Sequence, residues 1–138
     1  MNKLGKYLEN GFTSMKMSYM KIENPNQLVY KIDFPDSGIF CGTVTVVIDE
    51  MFYAEISAFI ARGITEDKRS MVFEEMNRVN DGVRLINVCM DKNNDVYSYQ
   101  QFILAGDENM MCKQIIINLV VFYDLHKRTA EKIYRLIS

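Results

Sequence analysis

The chain predicts an α+β domain: one antiparallel sheet with helices packed against it. Three observations carry this. Segments of period two follow one another with short links, which antiparallel strands allow and parallel strands do not. Segments of helical period stand at the start, the middle and the end of the chain. Strands come in runs rather than alternating singly with helices, which separates α+β from α/β. The predicted order is α-β-β-β(-β)-α-β-β-α. The 138 residues match a single domain spanning positions 1–138.

Each element has its own signal. Leu4, Tyr7 and Leu8 fall at i, i+3 and i+4 and predict a short first helix, with Gly11 as its stop. Met15, Met17 and Tyr19 alternate with polar residues and give a faint strand signal, and segment 14–23 has no certain place in the fold. Asn24-Pro25-Asn26 is a turn. Residues 28–34 are rich in β-formers, with Tyr30, Ile32 and Phe34 on one face. Pro35-Asp36-Ser37-Gly38 has turn chemistry. Residues 39–48 predict the next strand, with Val44, Val46 and Ile48 alternating inward. Asp49-Glu50 is a tight connection to residues 52–60, where Phe52, Ala54, Ile56 and Ala58 share a face.

The period then changes. Thr65 is placed to cap a helix whose first turn holds Glu66 and Asp67, where the dipole favours anions. Val72, Met76 and Val79 form its apolar stripe, flanked by Met71 and Phe73, and Asn80-Asp81-Gly82 ends it. Residues 84–90 and 96–104 flank the polar turn 91–95 and predict a hairpin. A long helix runs from Glu108 after Gly106-Asp107. One face carries Met111, Ile115, Leu119, Phe122, His126, Ala130, Ile133 and Ile137. A second apolar strip carries Ile116, Val120, Tyr123 and Tyr134. Residues 115–122 also suit a strand, but the period continues through Ile137 and favours helix.

Composition narrows the function classes. Sixteen basic and eighteen acidic residues leave a net charge of −2, with no strongly basic window, which argues against nucleic-acid binding. No apolar run approaches the 20 or so residues a bilayer span requires, and no signal-peptide core opens the chain. The expectation is a cytoplasmic protein with no membrane contact. Cys41, Cys89 and Cys112 lack metal-ligand spacing and read as reduced thiols, with no metal and no cofactor expected.

No catalytic residues emerge. His126 is the one imidazole and lies on a packed helix face, where a core or dimer-interface role with one hydrogen bond is expected. Asp91, Asn93 and Asp95 open like a calcium loop, but Tyr97 and Phe102 occupy positions where that loop needs ligands, so a hairpin turn is expected. Ten methionines suit either an irregular core or an adaptable binding surface.

Met76-Asn77-Arg78-Val79-Asn80 resembles the hydrophobic-Asn-x-hydrophobic-Asn helix end of YbjN-like proteins, often described as bacterial sensory transduction regulators. The order of elements from about Leu28 onward is similar too. The resemblance implies a type III secretion chaperone-like fold, commonly dimeric, and carries over no catalytic residue. Asn77 and Asn80 match the motif and are read structurally, as residues able to take the left-handed conformation at a helix end. The expected function is non-enzymatic: a protein-binding or chaperone-like regulatory domain acting as a homodimer on a protein or peptide partner. Met71 and Phe73, with Ile116, Val120 and Tyr123, are the candidate interface. The alternative is a small-ligand sensor with a pocket between sheet and helices.

Overall fold

The computed structural model describes residues 1–34, 43–82 and 85–138. Its elements are α1 (Asn2–Ser14), β1 (Ser18–Ile22), β2 (Gln27–Asp33), β3 (Val44–Asp49), β4 (Tyr53–Ala61), α2 (Glu66–Gly82), β5 (Asn87–Met90), β6 (Val96–Ile103) and α3 (Glu108–Ile137). The fold is α+β. Among the described residues six strands form one sheet in the order β1-β2-β3-β4-β6-β5, and every neighbouring pair is antiparallel. The predicted turn at 35–38, the strand start at 39–42 with Cys41, and Arg84 lie outside the described residues.

Period two does what it should in the centre of the sheet. Leu28, Tyr30 and Ile32, then Val44, Val46 and Ile48, then Ala54, Ile56, Ala58 and Ile60 are buried on one face. The helices cover that face. Phe12 of α1 meets Tyr30 edge to face at 5.3 Å between ring centroids. His126 of α3 reaches Ser98 of β6, and Val72, Met76 and Val79 of α2 join the same core. Tyr30 also fastens α1 to β2, because its buried hydroxyl donates to the Glu9 carboxylate at 2.8 Å. Burial first, and then that bond to an anion, hold the phenol well above its ordinary range.

Two expectations need correction. First, α1 does not stop at Gly11. Gly11 sits inside the helix where α3 comes close: a Cβ there would stand 3.3 Å from Ile116 Cδ1. The helix ends around Lys16, which takes φ 58°. Lys16 N–H donates to the Thr13 carbonyl and Met17 N–H to the Phe12 carbonyl. That pair of hydrogen bonds is a Schellman turn with lysine in the glycine place, and Met17 and Phe12 at its two ends are both buried in the core. Second, segment 14–23 is now placed: β1 begins only at Ser18, as an exposed edge strand. Thr65 stands immediately before Glu66, the first residue of α2. Its carbonyl accepts from Lys68 N–H, while its side chain bonds Asp67 and holds that carboxyl below its usual range.

Candidate functional site

Among the described residues, the layer between sheet and helices is filled by apolar side chains. The buried residues form one apolar cluster running from Leu4 to Ile133, with Phe12, Tyr30, Leu119 and Phe122 fully enclosed. The polar pair within it is Ser98 and His126, with Ser98 Oγ and His126 Nδ1 2.9 Å apart. Both are buried, and the imidazole stacks on Phe122. Desolvation pushes His126 down to about 4, so it is neutral at pH 7. Its Nε2 is enclosed without a hydrogen-bond partner among the described residues. A serine beside a histidine is the start of a nucleophilic dyad, but both of these side chains are buried away from solvent. It is a core histidine with a single hydrogen bond.

The other candidate chemistry resolves into structure. Asp91 Oδ1 accepts from Asn93 N–H and Asp95 N–H, and Asp95 accepts from Gly63 N–H. These carboxylates tie the β5–β6 turn and its neighbouring loop. Among the described residues, no group of three or more His, Cys, Asp or Glu is placed to hold a metal ion. Burial raises the Cys112 thiol above its ordinary value, which disfavours the reactive thiolate. None of the helices is long and apolar enough to cross a membrane among the described residues.

Asn80 has a sharper role than a left-handed helix end. It remains within α2, and its amide spans the outer edge of β5. Nδ2 donates to the Val88 carbonyl at 3.0 Å, and Oδ1 accepts from Val88 N–H at 2.8 Å. One side chain therefore covers both outward backbone groups of Val88 on an edge strand. Asn77 is exposed, and its side chain makes no hydrogen bond among the described residues.

The five predicted interface residues do not form one patch. Met71 and Phe73 are exposed but flank the buried stripe of α2 on opposite sides, about 200° apart around the helix. Arg69 stands over the Phe73 ring at 5.6 Å. Tyr123 is buried and stacks flat on Phe34, with centroids 3.8 Å apart. Ile116 is half-buried against Gly11 of α1. Of the predicted strip of α3, only Val120 faces outward.

The outward strip lies about 100° around the helix from the predicted one. Its members are Met110, Ile117, Val120 and Val121, with relative exposures of 53%, 63%, 40% and 37%. Their spacing of seven, three and four residues keeps them on one side of α3. The signal was present in the sequence. It was hidden because this helix half is apolar nearly all round, so periodicity alone does not say which strip α1 covers.

A second surface is the sheet face away from the helices. Phe59, Tyr97 and Tyr99 form an aromatic row there, with ring centroids 6.2 and 6.0 Å apart. Arg62 lies over Phe59 at 4.2 Å. A shallow recess of about 350 Å³ beside them is lined by Thr45, Glu55, Ser57 and Asp91, among others. Another, of about 320 Å³, lies between α2 and α3 and is lined by charged residues including Glu75, Arg78 and Arg128.

No protein-family model matches this chain, and no curated protein matches it. The class defined by fold and surface is thus an α+β domain with an enclosed core and an uncovered apolar helix strip.

Proposed function

We propose that this chain is a non-enzymatic, YbjN-like domain of the bacterial cytoplasm, chaperone-like in fold, that works by protein–protein contact as a homodimer. The observation that carries the reading is the strip Met110, Ile117, Val120 and Val121 on the outer face of α3. Four neighbouring apolar side chains left in water on one helix face are the usual mark of a surface that binds protein. The packed layer between sheet and helices supports this reading over the ligand sensor, which needs a cavity there. The burial of Ser98 and His126 supports a non-enzymatic role.

The test is sedimentation velocity of the purified chain across about 1–300 μM, the range where weak homodimers dissociate. A dimer is expected for the wild type and a monomer for Ile117→Asp, which places a charge at the most exposed point of the strip. A wild-type chain that stays monomeric throughout refutes the dimer. A folded Ile117→Asp chain that stays dimeric moves the interface to another face.

A further inference from the structure

The charges that interrupt the α3 strip have an order of their own. Lys113 and Asp124 are both exposed on the outward side. They are eleven residues apart, close to three full turns, so they stand within about 20° of each other around the helix and about 16 Å apart along it. Ile117 and Val120 lie between them, and the midpoint of both pairs falls between Asn118 and Leu119.

The centre of the strip, Ile117 and Val120 with a cation on one side and an anion at the same distance on the other, is self-complementary under one operation. That operation is a two-fold axis perpendicular to the helix. It lays a second copy of α3 antiparallel on the first. Lys113 then faces Asp124 of the second copy, twice over, and Ile117 of each chain meets Val120 of the other. A parallel pair would instead set Lys113 against Lys113 and Asp124 against Asp124. Asp124 also pairs with Arg128 of its own helix at 3.0 Å. A carboxylate has lone pairs for both cations.

We infer that the homodimer forms through an antiparallel α3–α3 contact in which Lys113 and Asp124 of the two copies pair across the axis and fix the register. This rests on the dimer proposed above and names its partner surface. The apolar centre supplies the attraction, and the flanking charges select orientation, as they do where helices choose partners.

Charge reversal tests it in the full chain. In Lys113→Asp, two acidic pairs face each other across the axis, and in Asp124→Lys two basic pairs do. Each single variant should dissociate at least about thirtyfold more readily by sedimentation velocity, because both pairs are lost at once. The double variant restores opposite charges and should return to within about threefold of the wild type. A mixture of the two single variants should form a heterodimer tighter than either homodimer. Circular dichroism will show whether each variant keeps its helices, and both positions are exposed. If all four chains share one dissociation constant, or the double variant is weaker than either single, the register is wrong although the dimer stands. If the wild type is monomeric, the dimer itself falls, and this contact with it.

Discussion

His126 gives the chain a dependence on acid that can be worked from its surroundings. The imidazole is enclosed, stacked on Phe122, and bonded through Nδ1 to Ser98. In the unfolded chain it titrates near its ordinary value of 6.5, but in the fold desolvation lowers this to about 4. Between those values the unfolded chain binds a proton that the folded chain refuses, so stability falls as the pH falls. The contribution is fully present above pH 6.5 and is lost progressively toward pH 4. For a shift of this size the loss is about 2 kcal/mol by pH 5 and about 3 kcal/mol by pH 4. A domain of this kind is stable by roughly 5–15 kcal/mol in total, so that is a large share. Guanidinium unfolding at pH 7, 6, 5 and 4 should show it as a difference in slope between the wild type and His126→Gln. The comparison cancels the carboxylates, which titrate in both chains. Because the chain has one histidine, its imidazole resonance also gives an unambiguous titration curve by NMR. A midpoint near 6.5, or parallel stability profiles for the two chains, would refute the burial argument.

Two further substitutions test the local readings. Asn80→Ala removes both partners of the Val88 backbone; it should destabilise the domain by about 1–2 kcal/mol and speed amide exchange in β5, whereas unchanged exchange at Val88 would deny that Asn80 guards this edge. Lys16→Gly relieves a non-glycine residue at φ 58°; it should raise stability by about 0.5–1 kcal/mol in thermal or denaturant unfolding, the left-handed penalty less the flexibility glycine adds to the unfolded chain.

What could be read from the sequence, and what could not, follows from how each element meets its neighbours. Strands β2 and β3, and β4 as far as Ile60, carry strict alternation because each has one face on the core and one away from it. Asp107 announced α3, and its carboxylate accepts from Met110 N–H as a cap should. By contrast, β1 is an edge strand with all five residues exposed, so burial imposed no alternation for a pattern to reveal. The end of α1 was misplaced because the residue in the left-handed position is lysine, while the nearby glycine serves a close helix contact instead. The role of Asn80 depends on where β5 ends up, eight residues further on, and no local rule states that. Tyr123 looked like surface because its partner, Phe34, lies far away in sequence.

The strength of the proposed dimer follows from how α3 is covered. In its C-terminal half the outward positions carry paired charges, Asp124 with Arg128 and Glu131 with Arg135. Water satisfies that half. The N-terminal half presents Met110, Ile117, Val120 and Val121 instead. Their combined exposure amounts to about two whole side chains per copy, worth roughly 4 kcal/mol if buried, or about 8 kcal/mol for a pair. Association itself costs an estimated 4–15 kcal/mol in lost freedom of motion. The apolar centre alone therefore yields a contact that is weak at best. With so little surplus, an interaction worth about 1 kcal/mol, counted twice across a two-fold axis, decides whether dimers populate at micromolar concentration. The Lys113–Asp124 pair proposed above is an interaction of that kind and occurs twice in the proposed dimer. For the same reason added salt, which screens exposed charges, should weaken the dimer while leaving the fold intact. Sedimentation at about 0.05 and 0.5 M salt measures this, and an association constant that does not fall at the higher salt would refute the role given to the two charges.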